Sequence, residues 1–125
     1  MKVLGGIIMF TLGYDAQKNR INFVGDRMDM EDVAPYISQL TEILKQVRPG
    51  FTGLTDLTGC RVMTQEVVKE LSPTNELAIK AGFSTTKKWA YITDSPIFKM
   101  QMKRMFGDFV AYFESYAEAD EYLSN

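Results

Sequence analysis

FTGLTDLTGCRVMTQEVVKEL, residues 51–71, runs from an apolar segment through Asp56, Thr58, Cys60 and Thr64 into a helical pattern. Phe51 to Leu57 reads as a short strand. Thr64 stands where a helix cap belongs, with Glu66 in the first turn and Val67, Val68 and Leu71 as core residues. A strand that ends in a polar loop and opens a helix is a place where α/β proteins put chemistry, so this turn governs both fold and function.

The pattern continues on both sides of the stretch. Ser72-Pro73 breaks the helix and can restart it, since serine caps well and proline suits the first helical position. Gly82 closes the second piece. KKWAYITD (87–94) is then a strand, Pro96 to Phe106 a helix, FVAYFES (109–115) a strand and YAEADEYL (116–123) a last helix capped by Ser115. Upstream, GGIIMFTLGYD (5–15) and NRINFVGD (19–26) flank the polar turn DAQKN, which predicts a β-hairpin whose first strand lies near Ile7 to Tyr14. In MDMEDVAPYISQLTEILKQV, residues 28–47, Val33, Ile37, Leu40, Leu44 and Val47 recur at helical spacing. Asp29 is the expected N-cap, with Glu31 and Asp32 in the first turn.

The resulting order is β-β-α-β-α-β-α-β-α. Strands that alternate with helices call for parallel pairing through right-handed crossovers. The fold class is therefore α/β, with a five-stranded mixed sheet, an N-terminal hairpin plus parallel strands, and helices mainly on one face. The 125 residues suit one hydrophobic core, so residues 1–125 are read as a single domain.

Composition removes several function classes. Fourteen basic and sixteen acidic residues give a net charge of −2, so no overall positive field favours nucleic acid. Cys60 is the only cysteine and histidine is absent, which rules out an internal disulfide and removes the commonest general base and metal ligand. The lone thiol fits a reducing compartment, and the chain is expected in the cytoplasm. Its N-terminal apolar run is shorter than the ~20 residues of a membrane span. Without a small-x-small cleavage site, that run is read as strand rather than as a signal peptide.

The remaining polar groups each carry two readings. Asp26, Asp29, Glu31 and Asp32 cluster, but without calcium-loop spacing they read as a helix start, and no metal or cofactor is expected. Asp56 either orients loop amides or faces a partner. Cys60 is a small apolar residue, or a thiol activated by the helix start and Arg61. Thr64 is a helix cap first and a phosphoacceptor second. In SPIFKMQMKRMFGDF (95–109), Phe98, Met102, Met105 and Phe109 share a helix face that fits core or an apolar cavity. Lys99, Lys103 and Arg104 form a basic strip that suits solvent, an acidic partner or anionic lipid heads.

YDAQKNRINFVGDRMDMED, the strand end TDLTGC, the strand KKWAYITDS and the terminal AYFESYAEADEYL together resemble the SpoIIAA-like proteins. These small bacterial proteins are related to the STAS domains of anti-sigma-factor antagonists and structurally to CRAL-TRIO lipid-binding domains. The resemblance spans about Met9 to Leu123. In phosphoswitch STAS members a strand ending Asp-Leu-Ser precedes Asp-Ser-Ser-Gly at a helix start, where a serine is phosphorylated. Here Asp56-Leu57-Thr58 matches the first element, whereas the second falls on MTQEV with Thr64, Gln65 and Glu66, and the acceptor serine is missing. The resemblance thus implies the fold more strongly than the switch.

The expected function is a non-enzymatic, STAS-like regulatory or protein-interaction module. Its partner-facing candidates lie in the loops at Asp26 and Asp29, at Asp56, Thr58, Arg61 and Thr64, and at Ser95, with the strip Lys99, Lys103 and Arg104 beside them. The apolar strand positions opposite the helices, with IIMF (7–10), predict a homodimer. The alternative is a small apolar or lipid-like ligand in a CRAL-TRIO-like cavity lined by Phe98, Met102, Met105 and Phe109. Peripheral membrane contact through the basic strip is the remaining possibility.

Overall fold

Phe10, Leu12 and Tyr14 alternate with smaller or polar residues, as do Ile21 and Phe23. The computed structural model, which describes residues 10–60 and 63–125, folds these runs into β1 (Phe10–Asp15) and β2 (Arg20–Gly25). They pair antiparallel with Leu12 opposite Phe23 and Tyr14 opposite Ile21, so one face of the hairpin is apolar. Asn19 takes the turn's left-handed position at φ 55°, where asparagine is tolerated better than most side chains. Its carboxamide oxygen accepts from the Tyr14 hydroxyl at 2.6 Å and from the Arg48 N–H at 3.1 Å, which ties the hairpin turn to the loop before the third strand.

α1 (Met30–Leu44) begins at Asp29, whose N–H donates to the Asp32 carboxylate at 2.9 Å. The Asp32 side chain is buried there because the orphan amide at the helix start needs an acceptor. Val33, Leu40 and Ile43 are buried, while Ile37, Leu44 and Val47 pack only partly. The helix is turned so that Tyr36 meets the Phe10 and Phe23 rings edge-on.

β3 (Thr52–Asp56), β4 (Trp89–Ile92) and β5 (Val110–Phe113) add in sequence, each parallel to the one before, giving the order β1-β2-β3-β4-β5. The helical stretch breaks at Ser72-Pro73 as expected, into α2 (Gln65–Leu71) and α3 (Thr74–Lys80). Ser72 donates back to the Lys69 carbonyl at 3.0 Å, so Pro73 rather than Ser72 is the cap of α3. α4 (Pro96–Phe106) passes through a 3-10 turn (Gly107–Phe109) into β5, and α5 (Tyr116–Ser124) follows. The strands are shorter than the apolar runs that announce them. Phe51 makes only an isolated bridge to Phe83, and Leu57 leaves the strand with its N–H on the Ile92 carbonyl at 2.9 Å.

Side chains of α1 to α4 meet Ile21, Phe23, Trp89 and Val110 in the main core. Gly53 of β3 faces that core under Trp89, and a Cβ there would run into the indole. The indole N–H donates to Thr55 Oγ1 at 2.8 Å. On the opposite face α5 lays Ala119 and Leu123 on Leu54, Ala90 and Ile92. The second cover that the sequence assigned to another copy is thus α5 over β3 to β5. Of the run behind that expectation, Phe10 is buried in the main core, stacked on Phe23, and residues 7–9 lie outside the described residues.

Candidate functional site

Parallel strands bring their C-terminal ends to one edge, and the loops leaving β2, β3 and β4 gather there. Asp56 Oδ1 accepts from both the N–H (3.0 Å) and the hydroxyl (2.8 Å) of Thr58. The next residue, Gly59, has φ 86°, and its N–H donates to Asp94 Oδ1 at 3.2 Å, which fastens the β3 loop to the β4 loop. Thr93 Oγ1 accepts from the Ser95 N–H at 3.1 Å, and Ser95 Oγ accepts from the Phe98 N–H at 3.2 Å. Ser95 is therefore the cap of α4, with Pro96 in the first turn. Sequence reading passed over Asp94. The available signal was its place two residues beyond β4, beside an equally polar loop.

Asp26 shares an open groove of about 470 Å³ with Thr11, Val24, Asp56 and Thr58. Asp29 is not part of it. It serves as the cap of α1 and pairs with Arg27 Nε at 3.4 Å. Thr64 caps α2 as expected, accepting from the Val67 N–H at 3.2 Å. Arg61 lies outside the described residues. Gln101 of α4 holds Met63 at both main-chain groups, accepting its N–H and donating to its carbonyl, each at 2.8 Å. Cys60 is buried at 2% exposure. Among the described residues no three Cys, Asp or Glu side chains converge as a metal site.

Along α4, Phe98 and Met102 are fully buried. Met105 and Phe109 line different voids, of about 30 and 20 Å³ respectively, which share Tyr36, Thr74, Tyr91 and Phe106 as walls. Each has room for a water-sized occupant. Burial pushes the Tyr36 phenol up to about 12 and the Tyr91 phenol well above its usual range. No spacing along the chain marks these tyrosines as a pair, because they come from α1 and β4. Lys99 and Lys103 place their ammonium groups 5.5 and 5.9 Å from the ring centre of Tyr112 on β5. The Tyr112 hydroxyl is buried without a hydrogen-bond partner among the described residues, and burial raises its pKa to about 12. Arg104 is exposed on the same helix. No helix among the described residues is long and apolar enough to cross a membrane.

No family model matches the chain, and no curated protein matches it. Among solved structures it is similar to an uncharacterized protein from the DUF3478 family with a SpoIIAA-like fold, from Shewanella loihica PV-4. The TM-score is 0.66, over 97% of this chain and 98% of that one. The fold is SpoIIAA-like. At 16% identity the SpoIIAA-like neighbour establishes the architecture and assigns no residue a role. The resemblance read from the order of motifs is thus a resemblance of fold, and the site rests on this chain's own geometry.

Proposed function

We propose that this chain is a non-enzymatic, cytoplasmic regulatory module of the STAS-like type, which recognises another protein through the C-terminal edge of its parallel strands. One observation carries the reading: the polar side chains at that edge are spent on backbone. Asp56 holds Thr58, Asp94 holds Gly59, Thr93 holds Ser95 and Ser95 holds Phe98. Such loops form a fixed recognition surface. Their hydroxyl–carboxylate pair, Thr58 with Asp56, is closed into the loop's own turn, since the same Asp56 oxygen also accepts from the Thr58 N–H. Thr64, at the phosphoswitch position, gives its oxygen to the cap of α2.

A photoreactive amino acid placed at Thr58 or at Asp26 in living cells tests the reading, with exposed Ser38 of α1 as control. The expected result is one protein adduct common to the two edge positions and absent from the control. Adducts that are indiscriminate, or identical at Ser38, would refute it.

A small apolar ligand in the core is the second reading. It is favoured by the two voids, which share four wall residues, and by the Tyr36 and Tyr91 hydroxyls, which make no hydrogen bond among the described residues. Native mass spectrometry after gentle purification decides it, since a co-purifying apolar mass supports this reading and a protein-only mass opposes it.

A further inference from the structure

Among the described residues β5 is the last strand of the sheet, bonded to β4 on one side only. The Phe113 carbonyl accepts from the Thr93 N–H at 3.2 Å, so Phe113 turns both main-chain groups toward β4. In a parallel ladder the neighbouring residue then turns its own away, which leaves the Tyr112 N–H and C=O on the open side. An open groove of about 540 Å³ follows this edge from Lys99 past Glu114 to Glu118, Glu121 and Tyr122. Its two walls differ in charge. On the α4 side stand Lys99 and Lys103 over the Tyr112 ring, and neither is in an ion pair among the described residues. On the α5 side stand Glu118 and Glu121, beside the packed rings of Phe113 and Tyr122.

We propose that this edge takes up an extended segment of a partner protein as a sixth strand, with acidic side chains toward Lys99 and Lys103 alternating with basic ones toward Glu118 and Glu121. The strand's period of two sends successive side chains to opposite walls, so the split of charge across the edge becomes a sequence requirement on the partner. Main-chain bonds to Tyr112 supply the affinity and the charged walls supply the selection. A second copy of this chain does not meet the requirement through its other sheet edge. β1 buries Phe10 on one face and offers Thr11 and Gly13 on the other. An anionic membrane is disfavoured because Glu114, Glu118 and Glu121 share the groove with Lys99. The proposal rests on the protein-interaction reading above and adds the partner's chemistry.

The test uses the full chain, isotope-labelled for NMR, and a capped octapeptide of alternating glutamate and arginine as probe. Its block isomer, with the glutamates first and the arginines after, keeps the net charge and loses the alternation. The alternating peptide is expected to shift the Val110 to Phe113 amides and to slow hydrogen exchange at Tyr112. The block isomer should bind about tenfold more weakly or worse. Lys99→Glu with Lys103→Glu, at exposed positions, should weaken the alternating peptide by a similar factor, and so should N-methylation of every second peptide residue. Equal binding of the two isomers, shifts confined to the outer face of α4, or no peptide binding would overturn strand addition. So would binding to phosphatidylglycerol vesicles in place of the peptide. Peptide failure with Thr58 and Asp26 adducts intact defeats this proposal alone; loss of those adducts defeats the interaction reading beneath it.

Discussion

Removing the carboxylate of Asp120 is expected to loosen α5 from the sheet. Arg20, on β2, is 3% exposed in its side chain and donates from one terminal nitrogen to Asp120 Oδ1 at 2.7 Å, while Asp120 is 34% exposed. The other terminal nitrogen reaches Ser124 Oγ at 3.4 Å, and Nε has no partner among the described residues. Truncating one member of a fully buried pair costs about 3–5 kcal/mol, because the other charge stays buried. The partial exposure of Asp120 lowers that figure, so Asp120→Ala should cost about 2–3 kcal/mol and Asp120→Asn, which keeps an acceptor, about 1–2 kcal/mol. Arg20→Met combined with Asp120→Leu should recover most of the loss, since no charge is then left unpaired. The Arg20 hydrogen bond holds the Asp120 carboxyl below its usual range, with Lys18 at 3.5 Å adding to the effect. A depressed native pKa means the unfolded chain binds the proton more readily. The pair's contribution is therefore complete above about pH 5 and lost as pH falls through the lowered pKa. Urea unfolding followed by circular dichroism measures the loss, and hydrogen exchange at Ala119 to Leu123 locates it. An Asp120→Ala variant within about 0.5 kcal/mol of the parent, with unchanged acid sensitivity, would refute this account.

Thr64→Ala should cost about 0.5–2 kcal/mol and Thr64→Ser little, as for a helix cap; denaturant midpoints check this, and loss of partner binding at unchanged stability would revive the phosphoswitch. Gly53→Ala should cost about 1–3 kcal/mol through collision with the Trp89 indole, with part of the loss recovered in the Trp89→Phe background. Thermal melts of the single and paired variants separate these contributions. Because burial lifts the Tyr36 phenol from 10.0 to about 12, the native state keeps a proton that the unfolded chain loses. Stability should thus fall between about pH 10 and about pH 12, less steeply in Tyr36→Phe, as read from urea midpoints across that range.

The sequence by itself determined what depends on near neighbours along the chain. The hairpin followed from alternation on either side of a polar turn, and the caps at Thr64 and Ser115 from a hydroxyl placed three residues before an orphan N–H. These signals are local, and so were readable. Strand limits were less so: Leu57 and Phe51 are as apolar as their strands, but Leu57 leaves the ladder and Phe51 makes only an isolated bridge to Phe83. Tertiary structure alone decided which distant groups meet. Asp94 holds Gly59 across 35 positions, Gln101 holds Met63 across 38, and Arg20 reaches Asp120 across 100. No spacing rule connects such pairs, since their approach is set by strand order. The same order decided the place of α5. Ala119 and Leu123 pack on Leu54, Ala90 and Ile92, on the sheet face that the crossover helices leave open, and nothing in the spacing of residues 116–123 names that face.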